Sequence, residues 1–162
     1  MILSYLNVDI CILGENLCDA SDCPEDWIDA SPIGLGCLFF YMEEDKTSWP
    51  DANKYCQERG AHLVEFTSSD SGFDYVRTEL ETIELYSGEK GCWWVGGTDM
   101  GREDTWYWVH SGSTSMSYVD WYEGSPNLGL EGNYMCLCHD KDYFASDCYT
   151  NGMMNFICKK QD

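Results

Sequence analysis

The chain has 162 residues, 44% hydrophobic and 15% aromatic, with 29 Asp and Glu against 9 Lys and Arg for a formal net charge of -20. That length is about one domain's worth, and the aromatic content excludes a disordered chain. A field of that sign repels phosphate backbones and anionic headgroups, which excludes nucleic acid and a polybasic membrane mode as partners.

Ten cysteines, an even count at high density, point to an oxidising compartment and disulfides, and so to a secreted, extracellular protein. No run approaches the roughly 20 apolar residues a membrane span needs, so no membrane insertion is expected. Residues 1–13 lack a basic start and are interrupted by Asp9, and read as a mature N-terminal segment. No Asn heads an Asn-x-Ser/Thr sequon. The only composition shift lies near residue 20, where Cys11, Cys18 and Cys23 crowd an acidic stretch. The expected division is an N-terminal acidic, cysteine-containing segment over 1–21 and one domain over 22–162.

In chain order, Ser48 caps a helix whose Asp51 completes an S-x-x-D box, Pro50 sits in its first turn and Gly60 stops it. Trp49, Ala52, Tyr55 and Cys56 share one face of it. Ala61 to Phe66 alternates like a strand. Ser69 or Asp70 then caps a second helix with Phe73, Val76, Leu80 and Ile83 at helical spacing. From Gly88 onward aromatic and β-branched stretches, Cys92 to Val95, Thr105 to Val109, Tyr134 to Cys138 and Asn155 to Cys158, are separated by Gly, Ser, Asn and Asp clusters. They predict short strands joined by long irregular loops, an α+β fold with its helices early and its sheet late. Trp94, Trp106 and Trp108 fall on strand-like segments and are expected in the core.

Cys23-Pro24-Glu25-Asp26-Trp27 with Cys37, then Trp49, Ala52 and Cys56, Trp94-Val95-Gly96-Gly97, Trp106-Tyr107-Trp108, Trp121, Gly124, Ser125-Pro126-Asn127, Cys136, Cys148 and Phe156-Ile157-Cys158 occur in one order. This order resembles the C-type lectin-like domain in its long form, over about residues 22 to 160. Gly96-Gly97-Thr98-Asp99 ahead of Trp-x-Trp looks most like invertebrate, particularly arthropod, members. The resemblance implies two helices flanking small antiparallel sheets, a long irregular loop region, and bridges Cys23 to Cys37, Cys56 to Cys158 and Cys136 to Cys148. A Cys56 to Cys158 loop of about 100 residues is worth ~4.7 kcal/mol in the chain-entropy model, against ~3 kcal/mol for Cys136 to Cys148. Four cysteines fall outside the family pattern. The cheapest arrangement pairs Cys11 with Cys18 and Cys92 with Cys138; the alternative is that one of the four bonds a partner chain in an oligomer or larger extracellular assembly.

In sugar-binding members a calcium is held by a Glu-Pro-Asn or Gln-Pro-Asp tripeptide, a nearby Glu, and an Asn-Asp pair after a Trp. Calcium wants six to eight hard oxygens, and its open positions accept vicinal diols. Here Ser125 replaces the acid or amide, and Tyr143 to Asp147 puts Phe144 and Ala145, or Ala145 and Ser146, on the pair's positions. Asn127, Glu131 and Asp147 remain as metal candidates where the family uses about five side chains, so calcium-dependent monosaccharide binding is expected to be weak or absent, and whether calcium itself binds is left open by the sequence. Ligand contact is expected on Trp121, Tyr122, Ser125, Asn127 and Glu131, because rigid aromatics and adaptable polar groups suit contact surfaces.

An enzyme is not expected: His62, His110 and His139 are scattered, and neither H-E-x-x-H nor G-x-S-x-G occurs. Zinc on Cys136, Cys138, His139 and Cys148 is disfavoured by the oxidising context. The reading is a recognition module for a glycan or protein with a degenerate calcium/sugar site. Its alternatives are a fully calcium-dependent carbohydrate-binding lectin of innate immune pattern recognition, and an acidic structural or matrix component.

Overall fold

Strand β4 (Cys92–Thr98) divides two cores, because successive side chains of a strand point to opposite faces. The computed structural model describes residues 23–66, 70–116 and 119–160; Cys11 and Cys18, with the pairing expected between them, lie outside the described residues. Trp93 and Val95 pack with Phe73, Val76, Leu80 and Ile83 of helix α2 (Asp70–Ser87) on one face. Trp94 packs with Trp49, Ala52 and Cys56 of helix α1 (Trp49–Gln57) on the other. Ser48 begins α1 in extended geometry with its Oγ accepting from the Asp51 N–H at 3.3 Å, and Gly60, at φ +65°, turns the chain after it.

The remaining strands are β1 (Ile28–Asp29), β2 (Cys37–Tyr41), β3 (His62–Leu63), β5 (Tyr107–Trp108), β6 (Tyr134–Cys138), β7 (Ala145–Cys148) and β8 (Asn155–Lys160). They connect in the order β1-β2-β8-β4-β6-β7, with β3 on β8 and β5 on β4. The fold is α+β with two helices against the sheet, as expected, but the strands join into one sheet with a single parallel pair, β4 beside β8. The reason is burial. Phe156, Ile157 and Cys158 are wholly inaccessible, so the last strand needs partners on both edges and lies between β2 and β4. Gly97 lets β4 approach β6 closely, since a Cβ there would come within 2.9 Å of the Met135 Cβ. Trp94, Trp106 and Trp108 are buried, as their strand-like settings predict.

Four disulfides staple this frame: Cys23–Cys37, Cys56–Cys158, Cys92–Cys138 and Cys136–Cys148. Cys56–Cys158 ties α1 to β8, and the other bridges are more local.

The long loop begins at a buried polar knot. The Glu65 carboxylate, 2% exposed, accepts from the backbone N–H of His110 at 2.6 Å and of Ser111 at 3.3 Å. The His62 and His110 rings stack in parallel with centroids 3.9 Å apart. Burial holds the His62 imidazole below its ordinary pKa of 6.5, the Leu63 carbonyl opposes this, His110 and Lys159 reinforce it, and Glu65 opposes. The folded state therefore prefers neutral His62, and the stability this contributes is present above about pH 6.5 and lost as pH falls through the lowered folded-state value. His62→Gln is expected to lose less stability than the parent between pH 6.5 and 5, in chemical denaturation at each pH; parallel curves would contradict it.

Candidate functional site

The long loop, residues 110–133, leaves the sheet after β5 and returns beside β7, where the Tyr122 N–H donates to the Ala145 carbonyl at 2.7 Å. Trp121 is half-buried, with its ring edge-on to Trp106 at 5.1 Å, so packing and presentation share the one indole. Tyr122 is exposed beside the Lys141 ammonium. Pro126 follows a cis peptide bond from Ser125, whose Oγ is buried with no hydrogen-bond partner among the described residues.

One carboxylate holds this turn. Asp147, 2% exposed on β7, uses its Oδ2 to accept from the backbone N–H of Asn127 at 2.8 Å and of Leu128. Its Oδ1 is buried and unpartnered. Asp147 and Asn127 line a cleft of about 250 Å³ with Asp99, Glu103, Asp104, Trp106, Pro126, Gly129 and Gly132. Of the three expected metal ligands the structure brings Asn127 and Asp147 to this cleft; Glu131 is exposed in the 3-10 turn Gly129–Glu131 and is not among its lining residues.

Asp99, Glu103 and Asp104 belong to the cleft and were not singled out in the sequence. The available signal was three carboxylates within six residues, immediately after the Gly96-Gly97 step of β4. Asp99 is 2% exposed; its Oδ2 accepts from the Asp104 N–H at 3.1 Å and its Oδ1 has no partner among the described residues. Burial raises the Asp99 carboxyl above the ordinary carboxylate range, with the charges of Asp104 and Asp147 adding to it and hydrogen bonds from the Asp104 and Asp99 backbone opposing. Glu103 is raised the same way, by desolvation first and then by Asp99, Asp104 and Asp147.

The positions expected to replace the family's Asn-Asp pair are committed elsewhere. Phe144 lies under the Arg77 guanidinium, 3.9 Å from its ring centre. Ala145 and Ser146 are wholly buried in β7, opposite Leu137 and Cys136 of β6. Among the described residues, the sets of three or more His, Cys, Asp or Glu whose ligand atoms converge within 4.8 Å are Cys136, Cys138 and Cys148, and Cys92, Cys138 and Asp140. Their sulfurs are in disulfides, which withdraws them from zinc.

Residues 45–160 match the lectin C-type domain family. The chain belongs to that family. This C-type lectin domain is 32% identical over 138 residues to a perlucin-like protein of Mytilus galloprovincialis, covering 85% of this chain and 82% of the mussel protein. It is 29% identical over 143 residues to a C-type lectin of Micrurus corallinus, covering 86% and 84%. Human lithostathine superposes with a TM-score of 0.72 at 25% identity, covering 93% of this chain and 99% of that one. C-type lectin domains are non-enzymatic, bind glycans and typically bind calcium. No helix among the described residues is long and apolar enough to cross a membrane.

Against that family chemistry, the turn around Pro126 does not fit a sugar-coordinating calcium. Ser125 turns its hydroxyl inward, Phe144 and Ala145 have no side-chain oxygen, and one oxygen of Asp147 is occupied by two backbone donors.

Proposed function

We infer that this protein is a secreted recognition module that binds a glycan or a protein through its long-loop face, without a sugar-coordinating calcium at the Pro126 turn. The observation that carries the reading is the fate of the Asn-Asp positions: Phe144 is stacked beneath Arg77 and Ala145 and Ser146 are buried in β7. None of these three side chains offers a carboxylate or amide oxygen to a calcium whose open positions would accept vicinal diols. Asp147 instead shapes the turn by accepting from the Asn127 and Leu128 amides.

The contact surface is the end of the loop, where Tyr122, Asn127, Leu130 and Glu131 are exposed and Trp121 is half-buried. Amphipathic rings and flexible polar groups at one edge suit an extended glycan or a protein better than one monosaccharide, and several copies in an assembly offset a weak single site. Secretion is supported by the four disulfides, and the division proposed from the sequence assigns residues 1–21 to an acidic, cysteine-containing segment and 22–162 to the domain.

A glycan array read with calcium and again with EDTA tests this. Signals on extended glycans that survive EDTA, or a blank array with capture of a protein ligand by the same face, agree with it. Monosaccharide signals that vanish in EDTA would overturn it.

A further inference from the structure

The long loop is rooted in a cluster of titratable side chains drawn from three parts of the chain. His62 of β3 and Lys159 of β8 stand opposite each other in the sheet, 7% and 6% exposed, and Glu65, just beyond β3, is buried with them. His110 is exposed and lies flat over His62, the ring planes within 4° of parallel and the centres 3.9 Å apart. After β5 the chain makes a tight turn, in which the Trp108 N–H donates to the Ser113 carbonyl at 2.9 Å and the Gly112 N–H to the Trp108 carbonyl at 2.8 Å. That turn is fastened to the rest of the domain by the Val109 N–H on the Gly96 carbonyl, at 2.9 Å, and by the Glu65 carboxylate on the amides of His110 and Ser111.

We propose that this cluster is an acid-operated latch: when the stacked histidines take up protons, the His110 ring leaves the His62 ring and the root of the long loop comes away from Glu65. At neutral pH the cluster is balanced, one carboxylate against one ammonium with both rings neutral, and histidine is the side chain that gains its charge on mild acidification. The His62 Nδ1 faces the Leu63 carbonyl at 2.7 Å. A carbonyl only accepts, so Nδ1 carries the proton of the neutral ring and a second proton goes to Nε2. Burial disfavours the cation so formed, the charges of His110 and Lys159 disfavour it further, and the Leu63 carbonyl and Glu65 oppose them. Two imidazolium rings at stacking distance repel each other, and in a site closed to water that repulsion is weakly screened. Glu65 does not offset a charge on each ring, because its one carboxylate already serves Lys159 and two amides. His62 is fixed in β3, whereas His110 stands at the surface on an irregular turn, so the outer ring is the one that moves. Its departure draws the 2.6 Å amide contact off Glu65 and loosens a loop whose far end carries Trp121 and Tyr122. The consequence for binding rests on the reading of the long-loop face as a recognition surface; the latch itself does not.

The test is hydrogen exchange read by mass spectrometry on the full, disulfide-intact chain at about pH 7.5 and about pH 5.5, each corrected for the chemical exchange rate at that pH. Peptides covering residues 108–116 are expected to lose protection by roughly tenfold in acid, the change that one unit of pH across a titration produces, while peptides from α1 and β8 keep theirs. His110→Phe keeps an aromatic ring over His62 but takes up no proton, and a cationic His62 is attracted to that ring rather than repelled. Its loop root is expected to be equally protected at both pH values. His139→Gln removes a titrating ring that hydrogen-bonds to Glu84 of α2 instead, and is expected to respond as the parent does. Equal protection of 108–116 in the parent at both pH values, an equal loss in α1 and β8, the parent's response persisting in His110→Phe, or its disappearance in His139→Gln would overturn the latch. These outcomes stand apart from the functional reading: an unchanged loop root sinks only the latch, whereas monosaccharide binding lost in EDTA sinks the reading and leaves the exchange result as it is.

Discussion

Changing Cys56 and Cys158 together to alanine is expected to lower stability by about 4–5 kcal/mol. The bridge spans 102 positions of sequence, and closing a loop of about 100 residues removes ~4.7 kcal/mol of denatured-state entropy in the chain-entropy model. The two cysteines are wholly buried between α1 and β8, so each truncation also leaves a small void beside Trp94 and Phe156. For a chain of this size the loss corresponds to a fall in melting temperature of roughly 10–20 °C. Guanidinium denaturation of parent and variant, with the other bridges verified by mass, checks it. A shift below about 1 kcal/mol would show that the denatured state is already held compact by other means.

Trp94→Ala is expected to cost about 3–5 kcal/mol, at the high end for a core truncation. Trp94 is wholly buried, stands edge-on to Tyr134 at 6.1 Å, and donates its ring N–H to the Thr47 carbonyl at 2.9 Å. The variant therefore opens a cavity and strips a carbonyl of its donor. Trp94→Phe, which fills most of the space and loses the hydrogen bond, should lie between the two. An unchanged melting temperature in Trp94→Ala would contradict the placement of this residue in the core.

The two helices were readable because their signals are local. Ser48 with Asp51 marks the start of α1, and the spacing of Phe73, Val76, Leu80 and Ile83 marks α2, since both rest on periodicity and capping within a few residues. Other elements are set by partners far along the chain. The strand expected over 61–66 is shorter: its ladder with β8 is at His62 and Leu63, Val64 adds backbone hydrogen bonds to Ile157 and Gly96, and Glu65 turns to the amides of His110 and Ser111. β7, Ala-Ser-Asp-Cys, carries no strand-forming signal and exists because β6 pairs along its length.

The site divides the same way. The replacements at Ser125, Phe144 and Ala145 are visible as residue types. The acidic cleft is not, because it gathers residues from 99–106, 126–132 and 147, three separate segments. With 29 acids in the chain, nothing local distinguishes Asp99 and Asp147, buried with an unmet oxygen each, from the solvated majority.

Titration calorimetry of the disulfide-intact protein with calcium, and then with mannose and galactose in calcium and in EDTA, tests the central claim most directly. With Ser125, Phe144 and Ala145 where coordinating oxygens are required, neither sugar is expected to give calcium-dependent heat, and Asn127→Ala is expected to leave every isotherm as it was. Micromolar calcium affinity together with EDTA-sensitive mannose or galactose binding, lost in Asn127→Ala, would contradict the account and make this an ordinary calcium-dependent lectin.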